Sequence, residues 1–421
     1  MAVLCTKALS RMSTPAPAVP RLTYLRIKNY RALRDVEFRD LTPLTVLIGP
    51  NGSGKSTVLD ALDFLAEAVR GNLVGAWEKR TRFKGMRTRG QEGFIEFKLT
   101  LELGDEYKEY EIMFEESDWL GSPRIFIVSE YCANDGKVLV KLNGRYTGDG
   151  NSRNFFPFLN TYEFAHNNLA ASYVNPDLPF VASSIFKQEG QKTEEIVSAI
   201  KAVLTSYRLF HLTDDHLKGY SDAGPREKLS PNGDNLPNVL YYLHERHPEV
   251  LARITDQMRR WVPGLADIVP EITSDERLLL RFKDGPFEKP LPAQYMSGGT
   301  MRLAALLTLL YEPGAAGLLG IEEPENELHP QLLPQLAEEL IAASESRQLL
   351  VATHAPALLN ALTPEQVWIL HRGPDGYTQA TRAADLPGIP AMVEEGSPLG
   401  YLWARNFFDV GSPLDSPLTT K

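Results

Sequence analysis

The stretch Gly49-Pro-Asn-Gly-Ser-Gly-Lys-Ser56 constrains this chain more than any other. It follows Leu44-Thr-Val-Leu-Ile48, a continuous apolar run of the kind that forms a strand covered on both faces. It precedes a helical pattern that runs from Ser56 to about Arg70. Strand, glycine loop and helix in that order are the context in which G-x-x-x-x-G-K-[ST] holds phosphate. Backbone N–H groups of such a loop converge on one point, and the helix N-terminus adds its dipole and unpaired amides. Gly49, Pro50, Asn51, Gly52, Ser53, Gly54, Lys55, Ser56 and Thr57 are therefore the expected nucleotide-binding residues. Lys55 sets a cation against the β- and γ-phosphates, and the Ser56 hydroxyl is a ligand for Mg²⁺. A surface turn matching by accident would lack the flanking strand and helix.

A second apolar run, residues 317–321, ends in Glu322-Glu323-Pro-Glu-Asn326. A strand end is rigid, so it can aim one carboxylate at the magnesium shell and the next at an attacking water. Glu322 is assigned to the metal, through water, and Glu323 to polarising the nucleophile. Alone, such a pair is more often a solvated acidic loop; the loop at 49–56 tips the balance. Tyr295-Met-Ser-Gly-Gly-Thr300 precedes a strong helical run. Ser297 is a good N-cap, while Gly298 and Gly299 leave the helix start bare enough to meet a phosphate. After the apolar run 349–352 comes Thr353-His354. A histidine there can donate to a γ-phosphate oxygen and report its presence. Taken singly, S-G-G is an ordinary cap and one histidine is usually structural.

Residues 94–103 alternate apolar and polar, and residues 110–114, 124–131 and 137–142 add strands, so this region reads as antiparallel sheet. Residues 155–265 read as mostly helical, with a strand at 276–282. After Gly299, helix and strand alternate through residues 367–371, which argues for a parallel sheet packed by helices. The expected division is a disordered leader (1–20), an N-terminal lobe with the glycine loop and the β subdomain (21–145), a mainly helical insertion (146–290), a C-terminal lobe (291–385) and a tail (386–421).

Of 421 residues 43% are hydrophobic, enough for a large core and two or three domains. A net charge of -10 argues against coating nucleic acid through overall charge. A local patch remains open: Lys79, Arg80, Arg82, Lys84, Arg87 and Arg89 lie together, as a backbone-binding surface or a solvated basic loop. Cys5 and Cys132 are too few and too distant for a disulfide framework, which points to a reducing cytoplasm. No apolar run approaches the ~20 residues that span a bilayer, so no membrane partner is expected. Tyr401, Trp403, Phe407 and Phe408 read as core first and as a docking patch second.

The order of these pieces resembles the ABC-ATPase superfamily, and within it the heads of the SMC, RecF and OLD group. The matching residues are Arg26-Ile-Lys-Asn-Tyr-Arg31, Gly49 to Ser56, Met296 to Thr300, Glu322-Glu-Pro-Glu-Asn-Glu-Leu-His-Pro330 and Thr353-His354, within residues 21–375. The resemblance implies an α/β P-loop NTPase head with an antiparallel β subdomain and an inserted helical lobe. It implies ATP and Mg²⁺ as ligands and ATP hydrolysis, with Glu323 and His354 catalytic. It also implies a homodimer, a higher oligomer not excluded, in which Ser297 and Gly299 close over the other head's ATP. Asn326 falls at the dimer seam and Arg31 near the nucleotide. The implied setting is DNA metabolism, in double-strand break repair or anti-phage defence; the other reading is a regulatory subunit that gates a separate effector protein. Glu322 stands where transporters usually carry an aspartate, a change that related heads tolerate; Thr300 replaces a glutamine, and the Q-loop cannot be placed, although Gln91 lies in the right region. With no Cys-x-x-Cys hook, no long heptad run and no carboxylate cluster after His354, the chain reads as a head without a TOPRIM nuclease domain or coiled-coil arm. Asn-Lys-x-Asp is absent, so ATP is expected rather than GTP.

Overall fold

The computed structural model describes residues 20–119, 121–147, 190–218, 221–222, 224–273 and 277–411. Nearly all of the expected leader, and the segment 148–189 of the expected insertion, lie outside these. In chain order the strands are β1 (Arg21–Tyr30), β2 (Leu33–Phe38), β3 (Leu44–Ile48), β4 (Ile95–Leu103), β5 (Glu106–Trp119), β6 (Ser122–Asn134), β7 (Lys137–Thr147) and β8 (Arg208–Phe210). There follow β9 (Ser221–Asp222), β10 (Leu265–Ile272), β11 (Arg277–Asp284), β12 (Leu291–Pro292), β13 (Leu318–Glu322), β14 (Gln348–Thr353), β15 (Val367–Arg372) and β16 (Thr378–Arg382).

The central sheet has the order β16-β15-β3-β14-β13-β8, parallel throughout except for the β15–β16 hairpin. Its strands are apolar at consecutive positions because both faces are covered. Side chains alternate between two cores: Leu47, Leu350 and Trp368 enter one, while Val46, Val351 and Ile369 enter the other. The first core lies under the helix Lys55–Glu67 and a fully antiparallel sheet, β2-β1-β4-β5-β6-β7. Phe64 from that helix meets Phe97 and Phe114 with ring centroids 6.0 and 5.3 Å apart. The second core holds the helix Gly298–Leu310, whose residues 300–310 are all buried, as an all-round apolar sequence demands. Gln348 joins the sheets: its side-chain oxygen accepts from Leu22 N–H at 2.7 Å and its amide donates to Leu22 O at 2.7 Å.

The fold is thus mixed α/β with a parallel core and an antiparallel subdomain. Several local expectations differ from it. The helix after the glycine loop ends at Glu67 and runs into a wide π-type turn, Ala68–Asn72, with Gly71 at φ 97°. The stretch read as mostly helical does contain helices Gly190–Ser206, Leu236–Arg246 and Pro248–Trp261. However, β8 within it is an edge strand of the central sheet, while β11, at the expected strand 276–282, forms with β10 and β12 a third sheet to which β9 adds. A three-residue strand carries no readable period, so β8 escapes pattern analysis. Residues 386–411 include two short helices, Ile389–Glu394 and Leu399–Ala404, and bury Leu399, Leu402 and Phe408. Tyr401 and Phe407 stay exposed, with their rings 6.2 Å apart. Among the described residues no helix is long and apolar enough to cross a membrane.

The basic segment also divides. Arg82, Lys84, Arg87 and Arg89 are exposed, whereas Phe83 and Met86 turn inward. Arg80 does not belong to that surface: its side chain is 2% exposed and pairs with Asp60 at 3.0 Å, Asp63 at 2.8 Å and Glu67. These three carboxylates form one stripe of the helix Lys55–Glu67, so Arg80 fastens the following segment to it. Removing Arg80 takes away the closest partner of Asp63, while Asp60 keeps Arg31 and Glu67 keeps Lys79, at about 3 kcal/mol, the low end for breaking a buried ionic cluster. Arg80→Ala is therefore expected to destabilise the fold by that much in urea unfolding, and Arg89→Ala by under about 0.5 kcal/mol. Equal, small shifts would show that Arg80 holds nothing together.

Candidate active site

Four parallel strands, β8, β3, β14 and β13, deliver their C-terminal ends to one edge of the sheet, where ligands of open α/β sheets bind. They present His211, the loop 49–54, Thr353-His354 and Glu322-Glu323 respectively.

The loop leaves β3 at Gly49, where a Cβ would lie 2.0 Å from Leu370 O. At Gly54, φ is 107° and a Cβ would meet Thr378 Oγ1 at 2.6 Å, so only glycine fits. The β15–β16 hairpin braces the loop from outside: Arg372 Nε donates to Gly52 O at 2.9 Å and Thr378 Oγ1 to Ser53 O at 2.8 Å. Gly54 caps the helix without a side chain, so the first-turn amides carry no capping acceptor. Ser53 Oγ is buried with no partner. Lys55 Nζ donates to Gly49 O at 2.8 Å and Pro50 O at 3.1 Å, and lies 3.5 Å from His354 Nδ1. Burial pushes the Lys55 ammonium down to about 8 against the pull of Glu323 and Glu325. His354 is likewise held below its ordinary value, first by burial and then by Lys55.

Glu323 follows β13 with φ 44°, a conformation that costs a non-glycine residue about 1 kcal/mol or more. Its N–H donates to Ala352 O at 2.7 Å, and its own carbonyl accepts from the buried Arg302 at 3.1 Å. Its carboxylate accepts from Asn326 Nδ2 at 2.7 Å and faces His354 Nε2 at 3.5 Å. Glu322 Oε2 lies 3.1 Å from His211 Nδ1. Glu325 locks the neighbouring turn, accepting from Thr353 Oγ1 at 2.6 Å and His354 N–H at 2.7 Å through one oxygen; its other is buried without a partner.

Sequence reasoning anticipated Lys55, Glu323, His354 and Asn326, which the structure brings into one chain of contacts. It missed Glu325, Arg372 and Thr378, whose roles depend on contacts between distant segments. Pro50, Asn51, Gly52, Ser56 and Thr57 remain at least partly open to solvent. Ser297 accepts from Thr300 N–H at 3.1 Å as an N-cap. The missing Cβ of Gly299 leaves room for Glu327 O, which would be 2.5 Å away, so Gly298 and Gly299 start their helix against the 325–328 turn. Arg31 pairs with Asp60 on the loop's helix at 2.9 Å. Gln91 donates to Tyr377 at 3.3 Å.

Uncapped amides, a buried unpaired hydroxyl and a lysine balanced by weak carbonyl acceptors fit a polyphosphate. Among the described residues no three-membered group of His, Cys, Asp or Glu forms a protein-only metal cage. Magnesium needs none, since one hydroxyl and one carboxylate beside substrate phosphates suffice. Ser56, exposed in the first turn of the loop's helix, and Glu322, at the end of β13, are residues of those two types.

Residues 21–223 match a family model described as an AAA ATPase domain. Residues 173–360 match an AAA domain model whose description names the AbiEii toxin and a Type IV TA system. An OLD nuclease of Thermus scotoductus is 48% identical over 44 residues, which is 10% of this chain and 8% of that protein's length. An SmcHead solved bound to the C-winged helix domain of ScpA is similar at 15% identity and TM-score 0.52, over 86% of this chain and 97% of that one. The SMC head domain from Thermotoga maritima gives 14% identity and TM-score 0.45, over 86% and 98%. The two AAA-type domain models thus match overlapping parts of residues 21–360, and the fold is similar to that of an SMC head.

A phosphate beside Lys55 raises its pKa from about 8, so the nucleotide-bound form holds a proton that the free form loses at higher pH. Binding is then expected to take up a proton and to weaken above pH 8, by at most about tenfold per unit. Calorimetry in buffers of different ionisation enthalpy reads this directly. Lys55→Arg should abolish the uptake; persistence in that variant would assign it to another group.

Proposed function

We propose that this chain binds Mg-ATP in the 49–57 loop, hydrolyses it with Glu323 as base, and dimerises around it to act in DNA metabolism, in break repair or anti-phage defence. The observation that carries the proposal is the contact chain Lys55–His354–Glu323–Asn326 at a strand-end edge. Lys55 and the loop amides hold the phosphates. Asn326 orients the Glu323 carboxylate, which takes the proton of the attacking water. His354, between Lys55 and Glu323, donates to the γ-phosphate in this reading. Ser56 and Glu322 would hold Mg²⁺, which when bound neutralises phosphate charge. Ser297, Gly298 and Gly299, at the start of the helix Gly298–Leu310, would meet a partner chain's ATP. The match to an OLD nuclease supports a setting in nucleic-acid metabolism.

Glu323→Gln keeps size and hydrogen bonding but removes the base. Turnover is expected to fall about 10²–10⁴-fold while ATP binding survives. The variant should accumulate an ATP-bound dimer visible by light scattering, and a second substitution, Ser297→Arg, should return it to monomer. Near-normal turnover, or loss of ATP binding, would put the two glutamates in the wrong roles. Lys55→Ala is the control that loses nucleotide altogether.

The exposed row Arg82, Lys84, Arg87 and Arg89 supports direct DNA contact. Replacing Arg82, Arg87 and Arg89 by Ala is expected to weaken DNA binding and to flatten the log–log salt dependence by roughly one unit for each phosphate no longer neutralised. An unchanged slope would make the row a solvated loop. It would favour the other reading, a regulatory ATPase that gates an effector protein, for which the exposed Tyr401–Phe407 pair is a surface.

A further inference from the structure

Strand β8 lies parallel to β13 with Leu319 opposite Arg208, Gly320 opposite Leu209 and Ile321 opposite Phe210. One step further along the same register brings Glu322 beside His211. The close approach depends on Gly320, where a Cβ would lie 2.2 Å from Tyr207 Oη. Tyr207 Oη in turn donates to Leu59 O at 3.0 Å, fixing the start of β8 to the helix behind the phosphate loop. The residues after β8 are pinned as well. His211 N–H donates to Pro231 O at 3.0 Å, and Leu212 O accepts from Arg302, the side chain that also holds Glu323 O. His211 is 58% exposed, so packing alone does not dictate its ring position, yet its Nδ1 lies 3.1 Å from Glu322 Oε2. A carboxylate oxygen accepts, so the imidazole N–H donates.

Glutamate has one more rotatable bond than aspartate. It therefore reaches further and holds its carboxylate less firmly. We propose that His211 is a positioning residue that supplies the missing constraint: it fixes Glu322 Oε2 and leaves the other oxygen for the hydration shell of the metal. Partners that orient metal-binding groups in this way are typically worth about 10–100-fold in metal affinity or activity. The inference rests on the reading of Glu322 as the magnesium-side carboxylate.

The test uses the full chain with Mn²⁺ as the probe, its free concentration followed by electron paramagnetic resonance in the presence of a non-hydrolysable ATP analogue. Nucleotide affinity without metal is measured alongside. His211→Ala is expected to raise the Mn²⁺ concentration for half-saturation about 10–100-fold, with metal-free nucleotide affinity within about twofold of wild type. His211→Asn, whose side-chain amide can place an N–H near the same point, should recover most of that loss, which a merely structural role would not predict. Glu322→Gln runs in parallel. If it weakens Mn²⁺ binding and His211→Ala does not, the positioning role is overturned. If Glu322→Gln leaves Mn²⁺ binding intact, the metal assignment of Glu322 falls, and the role of His211 falls with it.

Discussion

Lys55 is an ammonium group held almost entirely out of water, 5% exposed, against two carbonyl oxygens. Neutral acceptors satisfy its N–H bonds but not its charge, which is why burial moves it down to about 8. The nearest carboxylates, Glu323 and Glu325, act on it through space and are themselves committed to Asn326, Thr353 and the His354 N–H. Such a cation is poised for a strong anion, and the rest of the edge is arranged around keeping it there. The fold must hold the loop rigid, because a mobile loop would let the lysine swing out to water.

That rigidity comes from segments far apart in sequence. The hairpin β15–β16 reaches back through Arg372 and Thr378 to clamp the loop's carbonyls at Gly52 and Ser53. The helix behind the loop is gripped by Arg80 along one stripe and by Phe64 in the aromatic cluster along another. Gln348 then acts as a short strand segment in side-chain form: it satisfies both backbone groups of Leu22 and so fastens the antiparallel sheet to the parallel one. The bonds of Thr378 and Gln348 among these are buried polar bonds, which cost little when complete and much when broken.

Locally determined features were legible in the sequence. Strand β3 spans the residues that its apolar run marks, and the loop and helix follow as the glycines and Lys55 require. Strands β13, β14 and β15 lie within a residue or two of their apolar runs. Whatever depends on tertiary neighbours was not legible. Arg80 reads like its basic neighbours, and only the stripe Asp60, Asp63 and Glu67 on another helix makes it internal. Glu325 sits in a visible acidic motif, but nothing local says that it accepts from Thr353 and His354 rather than binding a ligand. His211 follows a strand too short to show a period, so its place beside Glu322 emerges only once β8 is paired with β13.

The strained backbone at Glu323 ties these observations together. Its positive φ turns the chain sharply after β13, so that successive residues Glu322 and Glu323 make separate contacts, one toward His211 and one toward His354. An extended continuation would have thrown their side chains to opposite faces of the sheet. The turn survives because the Glu323 N–H is taken by Ala352 O and its carbonyl by Arg302. Arg302 belongs to the helix that Ser297 caps, and its other end is fixed to Leu212 O. A shift of that helix along its axis would therefore stretch the bond to one glutamate's backbone and the bond to the segment holding the other. The geometry of both carboxylates is in this sense a property of three elements at once, the β13 end, the β8 end and the helix Gly298–Leu310, rather than of the acidic motif alone.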